Sequence, residues 1–289
     1  MDIRNRLQHL SQALRYYIML MVSQIIGEII VLLSCGGADI DKNLPDAVIS
    51  EQVLRILDSH VYLTIIATYL FMALWIWWKH FRKKDPIVLT VSIDVKAAKG
   101  VRTSRADMFW AMVAGIGAGV WMHMLNTVMP FELSPFEKFV SQGVEGPVNA
   151  DGLVIQVLAL IVISPIIGEI IFRGLIFSRM RILMHPVAAV FCQALMFASF
   201  FGSDAETIMY FVLGMILGFI VLKSDSIKAA VVMHMSFNWT GMMAGGFFGE
   251  IAASPEASKA VIIIAAAVFI LGGYMLFRDC IGSFSNKNN

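Results

Sequence analysis

Charge is scarce in this sequence. Only 15% of its 289 residues are Asp, Glu, Lys or Arg, where a soluble domain carries about 25%. So few charged groups cannot clothe a water-facing globule of this size. The hydrophobic share of 58% and the mean hydropathy of +0.75 exceed what one interior can hold, so lipid must solvate the remainder. Net charge is nearly absent too, at +1, which argues against a nucleic-acid binder. The three cysteines, Cys35, Cys192 and Cys280, lie far apart with no CxxC or metal-type spacing, and each reads as a small packing residue. A removable signal peptide is also missing from the pattern. Arg4, Arg6 and Arg15 lead into an apolar stretch long enough to span, which contains Glu28 and lacks a clean small-residue cleavage site. It reads as a retained first helix. No internal repeat, low-complexity run or second soluble domain is visible, so residues 1–289 read as a single membrane domain.

What is present is a series of apolar stretches. A bilayer core needs about 20 mostly apolar residues per helix. Candidate spans fall at 14–34, 61–78, 107–129, 152–172, 187–203, 206–222, 229–249 and 258–277. None alternates as a strand does, and lipid offers backbone groups no partners, so the expected fold is an all-α polytopic bundle of about eight transmembrane helices. Placing both termini in the cytoplasm puts 18 of the 22 lysines and arginines inside, counting Arg173 at the inner end of the fourth span. Trp75, Trp77 and Trp78 ahead of Lys79 fit an aromatic belt at the inner interface. The expected location is the cell membrane, crossed several times.

The basic cytoplasmic loop 79–106 has two readings. It can hold anionic lipid or a polypeptide, since each surface cation adds about 1 kcal/mol beside an anionic leaflet; or it only sets topology. Its interior, IVLTVSIDV at 87–95, alternates like a short hairpin strand.

Ionisable groups inside a bilayer are costly and therefore point to function. They are Glu28, His123, Glu169, Arg173 and His234, with Asn126 and Asn238 as polar neighbours. Glu169 and Arg173, spaced i, i+4 in SPIIGEIIFRG, share a helix face and can pair. His234 and Asn238 in HMSFNW share another. At one depth, about one to two turns inside the cytoplasmic border, these four can surround a scissile carbonyl. The carboxylate would be the base and the imidazole or amide would hold the oxyanion. A buried pair that locks two helices is the competing reading for Glu169 and Arg173. His123 can reach the same cavity or bond a neighbouring helix, and Glu28 can line a cavity or make a helix-to-helix hydrogen bond.

The order of these motifs resembles the CPBP family: type II CAAX prenyl endopeptidases, bacteriocin-processing and self-immunity proteins, also called Abi. The resemblance covers about 150–245 and rests on SPIIGEIIFRGLIFSRM (164–180), QALMFASFFG (193–202) and YFVLGMILGFIVLKSDSIKAAVVMHMSFN (210–238). It implies an EExxxR helix, an FxxxH helix and an HxxxN helix, with the first glutamate activating water. Gly168 occupies that first glutamate position, followed by Glu169 and Arg173. Phe197 begins the second motif, but Phe201 replaces its histidine. His234 and Asn238 complete the third. Glycine accepts no proton and phenylalanine neither ligates metal nor donates a hydrogen bond. The resemblance also implies zinc, for which Glu169 and His234 are the candidate ligands, fewer than the three protein ligands of a catalytic site.

Three functions follow as expectations. The first is a CPBP-fold protein, catalytically impaired, that binds a membrane-embedded, prenylated or secreted peptide or another membrane protein, amid membrane lipid. It would act as scaffold, regulator or immunity factor. The second is an active intramembrane endopeptidase in which Glu169 and His234 carry the chemistry, with Arg173 and Asn238 in support. The third, a small transporter, lacks the expected repeat and paired interrupted helices.

Overall fold

The computed structural model describes residues 3–40, 43–81, 104–128, 152–201, 204–252 and 254–285. The strand-like segment 87–95 lies outside them. Within the described residues the chain is helical: α1 (Ile3–Ser34), α2 (Asp46–Ser59), α3 (Val61–Phe81), α4 (Arg105–Val128), α5 (Gly152–Leu183), α6 (Pro186–Phe201), α7 (Asp204–Ser224), α8 (Lys228–Ala252) and α9 (Pro255–Ser285). Six of these, α1, α3, α4, α5, α7 and α9, are long and apolar enough to cross a membrane. α6 is apolar but shorter, and α8 carries His234, Ser236, Asn238 and Thr240 along its length. The molecule is a polytopic helical membrane bundle.

Contacts between helices show their directions. Tyr16 meets Trp75 while Gly27 lies against Thr68, so α1 and α3 run antiparallel. Gly214 against Ala194 and Gly218 against Val190 set α6 antiparallel to α7. Gly115 beside Met233 and Gly119 beside Phe237 make α4 and α8 parallel, as an up-down order with one pass between each neighbour demands. Small residues at these crossings let backbones approach where lipid provides no hydrophobic drive. Half of the apolar window of α5 is buried, against 17% for α9, so α5 is the central helix and α9 faces lipid.

Two differences from the sequence reading matter for the site. First, the fourth span does not stop at 172 but continues to Leu183. Arg173 is therefore buried within the helix rather than at its inner end. Second, α2 is a helix in what reads as an external loop. Its Val48, Ile49, Val53, Ile56 and Leu57 recur at helical spacing, but it buries none of its residues in the bundle. Trp77 and Trp78 are exposed, as belt residues should be, whereas Trp75 turns inward with Tyr16, and Lys79 lies 4.1 Å above the Tyr16 ring. At the same end of the bundle Lys223 pairs with Asp107 at 2.8 Å and Arg181 with Asp225 at 3.2 Å.

Candidate functional site

α5 is not a regular helix around its polar residues. Two stretches of wider π-type turn, Leu158–Ile163 and Ile170–Phe177, flank the short α-helical piece Ser164–Glu169. Such turns recur at functional sites because they re-aim side chains and free backbone groups. Here the cause is visible. In the first stretch the Ser164 N–H reaches back five residues to the Ala159 carbonyl. The next donor in that register would be residue 165, and Pro165 has no N–H. The Leu160 carbonyl thus loses its backbone partner, and the Asn238 side chain supplies one, Nδ2 donating at 2.7 Å.

Four residues from Asn238, His234 completes the crossing. Its Nδ1 lies 2.9 Å from Oε1 of Glu169, and the same oxygen accepts Arg173 Nη1 at 3.0 Å. Both side chains of this ion pair are fully buried. Arg173 also donates through Nη2 to the Gly214 carbonyl at 3.1 Å, and its guanidinium stands 4.4 Å over the Phe197 ring. Phe197 in turn meets His234 edge-on at 6.0 Å and Phe201 at 4.7 Å, and Phe201 stacks on Tyr210. The structure therefore brings together Glu169, Arg173 and His234, with Asn238 one turn away on the same helix and bonded to the same partner helix.

A cavity of about 450 Å³ adjoins this core. His234, Asn238, Ser164 and Tyr69 line its floor, and Phe197, Phe200 and Phe201 form a wall. Gly168 sits at the edge, where a Cβ would meet only the Tyr69 hydroxyl, at 3.7 Å. Glu28 lines the cavity as well and accepts Gln24 Nε2 at 3.1 Å within its own helix. His123 is buried on α4 but is not among the cavity's lining residues. Asn126's side chain lies outside the described residues. The cavity reaches the surface at the exposed Leu54 and Asp58 of α2, the end of the bundle away from Lys79, Lys223 and Arg181.

Gln193 is a site residue that the sequence reading missed. Fully buried, it donates from Nε2 to Gly214 O at 2.8 Å and Val190 O at 3.0 Å, so Gln193 and Arg173 grip the same carbonyl. A neutral amide in the middle of an apolar span was the available signal. Tyr69 and Ser164 carried none, since both are common in membrane helices.

The donors present do not fit a metal. The candidate ligands Glu169 and His234 are adjacent, but they are only two, and phenylalanine stands at the second histidine position. Among the described residues no three His, Cys, Asp or Glu side chains come together. Catalytic zinc takes three protein ligands.

Fold and site define a polytopic helical membrane protein with a buried carboxylate–arginine–imidazole core spanning two crossing helices. Residues 150–240, which hold Glu169, Arg173, His234 and Asn238, match the family model described as type II CAAX prenyl endopeptidase Rce1-like. This match, over part of the chain, makes the core similar to the CPBP family and supports an intramembrane protein of the protease type. No curated protein and no solved structure matches it.

Proposed function

We propose that this CPBP protein is catalytically impaired and uses its cavity to bind a membrane-embedded or lipidated polypeptide in the cell membrane, as scaffold, regulator or immunity factor. One observation carries the reading: Glu169 is buried in the helix crossing and apart from the cavity, with Oε2 left unbonded there. Its Oε1 takes both Arg173 and His234, its side chain is fully buried, and it does not line the cavity that a substrate would occupy. A general base must lie within about 2.6–3.2 Å of the proton it takes, directly or through one water. The preceding position, residue 168, is glycine, where a Cβ would lie 3.7 Å from the hydroxyl of the cavity residue Tyr69. The polar floor and aromatic wall remain as a binding surface. Coexpression with a tagged copy followed by mild-detergent pull-down tests this, and a stoichiometric membrane polypeptide is the expected result. Recovery of the protein alone at every detergent concentration would count against it.

A second reading draws on the 2.9 Å contact between Glu169 and His234, which has the geometry of an acid–base pair. In an active endopeptidase, Glu169→Ala or His234→Ala abolishes cleavage of a membrane or lipidated substrate while the protein stays folded. Wild-type turnover in both variants ends that reading.

A further inference from the structure

The cavity carries charge of one sign. Among the described residues its lining includes two carboxylates, Glu28 and Asp58, and no lysine or arginine. Glu28 is partly buried within an apolar helix and accepts from Gln24, a neutral amide that leaves the charge unbalanced. A carboxylate so placed calls for a cation or a proton. Deeper in, Tyr69 and Ser164 add polar groups to the lining. The aromatic wall of Phe197, Phe200 and Phe201 asks for an apolar body. At about 450 Å³ the space falls within the 300–1,000 Å³ typical of ligand pockets. That suits a few extended residues rather than a folded domain.

The surface end of the cavity is the end bearing α2, opposite Lys79, Arg181, Lys223 and Lys228. Positive residues mark the cytoplasmic side, so the cavity faces the other way. Resting on the polypeptide-binding reading above, we infer that the partner is an extended apolar segment bearing a lysine or arginine and presented from the non-cytoplasmic side. Glu28 and Asp58 pair its cation, and the phenylalanine wall takes its apolar side chains.

The test uses the full chain in phosphatidylglycerol nanodiscs and two acetylated, amidated apolar hexapeptides identical but for a central lysine or norleucine. Binding is read by anisotropy of a peptide label. The lysine peptide should bind about tenfold tighter or more, the scale of a close charge pair. Glu28→Gln with Asp58→Asn should bring the ratio of the two affinities to about one; Asp58→Asn alone, at an exposed position, should lower it should the double variant not fold. Equal affinities in the wild type would overturn the charge inference while leaving polypeptide binding intact. No binding of either peptide would overturn both. Loss of lysine-peptide binding in phosphatidylethanolamine nanodiscs would identify an amine lipid as the occupant instead. For sidedness, Leu54→Cys in a Cys35→Ser background is labelled with an impermeant maleimide in sealed vesicles. Labelling from the non-cytoplasmic face, blocked by the lysine peptide, is expected, and labelling only from the cytoplasmic face would overturn the assignment.

Discussion

His234 Nδ1 and Glu169 Oε1, separated by 65 positions in the chain, lie 2.9 Å apart in the centre of the bundle. The bond ties α8 to α5, and through the same oxygen it reaches Arg173. Removing the carboxylate strands a guanidinium that is 1% exposed. Breaking one side of a buried pair costs about 3–5 kcal/mol. Glu169→Gln should therefore lower the midpoint of thermal unfolding in detergent by several degrees. Glu169→Gln combined with Arg173→Met should recover most of that loss. An unchanged midpoint for the single variant would show that the pair does not hold the helices.

Asn238 makes a sharper prediction, because its role depends on a proline. Its amide serves the Leu160 carbonyl that Pro165 leaves without a donor. Asn238→Ala should cost about 1–3 kcal/mol, the penalty of an unsatisfied buried acceptor. In a Pro165→Ala background, residue 165 regains an N–H for that carbonyl, and the same substitution should cost clearly less. A double-mutant cycle with no coupling would separate the two residues.

The distribution of what was legible follows from the physics of each signal. Hydropathy located the helices because lipid imposes it residue by residue, and i, i+4 spacing paired Glu169 with Arg173 and His234 with Asn238 without any knowledge of the fold. Two local rules misled: the dip at Arg173 ended the fourth span early, and α2, being amphipathic, fell below any span threshold. The meeting of α5 with α8 is legible only through motif order and similar depth, since no local pattern encodes a contact across 65 residues. Gln193 was overlooked because a neutral amide is quieter than a charge. The use of Asn238 as a backbone donor was invisible, since it depends on the five-residue register of α5 at Pro165.

The contact between α4 and α9 gives a control far from the cavity. A Cβ on Gly117 would collide with the Phe269 backbone nitrogen, and one on Gly272 would approach the Ala114 nitrogen to 2.6 Å. These are backbone atoms and cannot swing aside. Gly117→Val and Gly272→Val should each destabilise by about 1–3 kcal/mol through overpacking, read as a lower midpoint in a detergent melt. Peptide affinity at the cavity should be unaffected at temperatures where the variants remain folded, since none of its lining residues comes from α4 or α9. A loss of affinity in the folded variants would mean that this crossing positions the site.

Restoring the missing chemistry tests impairment itself. At Gly168 a Cβ has only the Tyr69 hydroxyl nearby, at 3.7 Å, so a longer side chain has room to begin toward the cavity. At 201 the exchange is less free, because Phe201 stacks on Tyr210 with ring centroids 5.5 Å apart. Gly168→Glu should fold as well as the wild type, whereas Phe201→His should lower the melting midpoint. Positioned acid–base groups contribute about 10²–10⁴-fold each. The double variant should therefore cleave a prenylated membrane peptide detectably, followed by mass spectrometry of the released fragment, while the wild type should not. Cleavage by the wild type at a rate equal to that of the double variant would mean that Glu169 and His234 already do the work, and the active-endopeptidase reading would replace the impaired one.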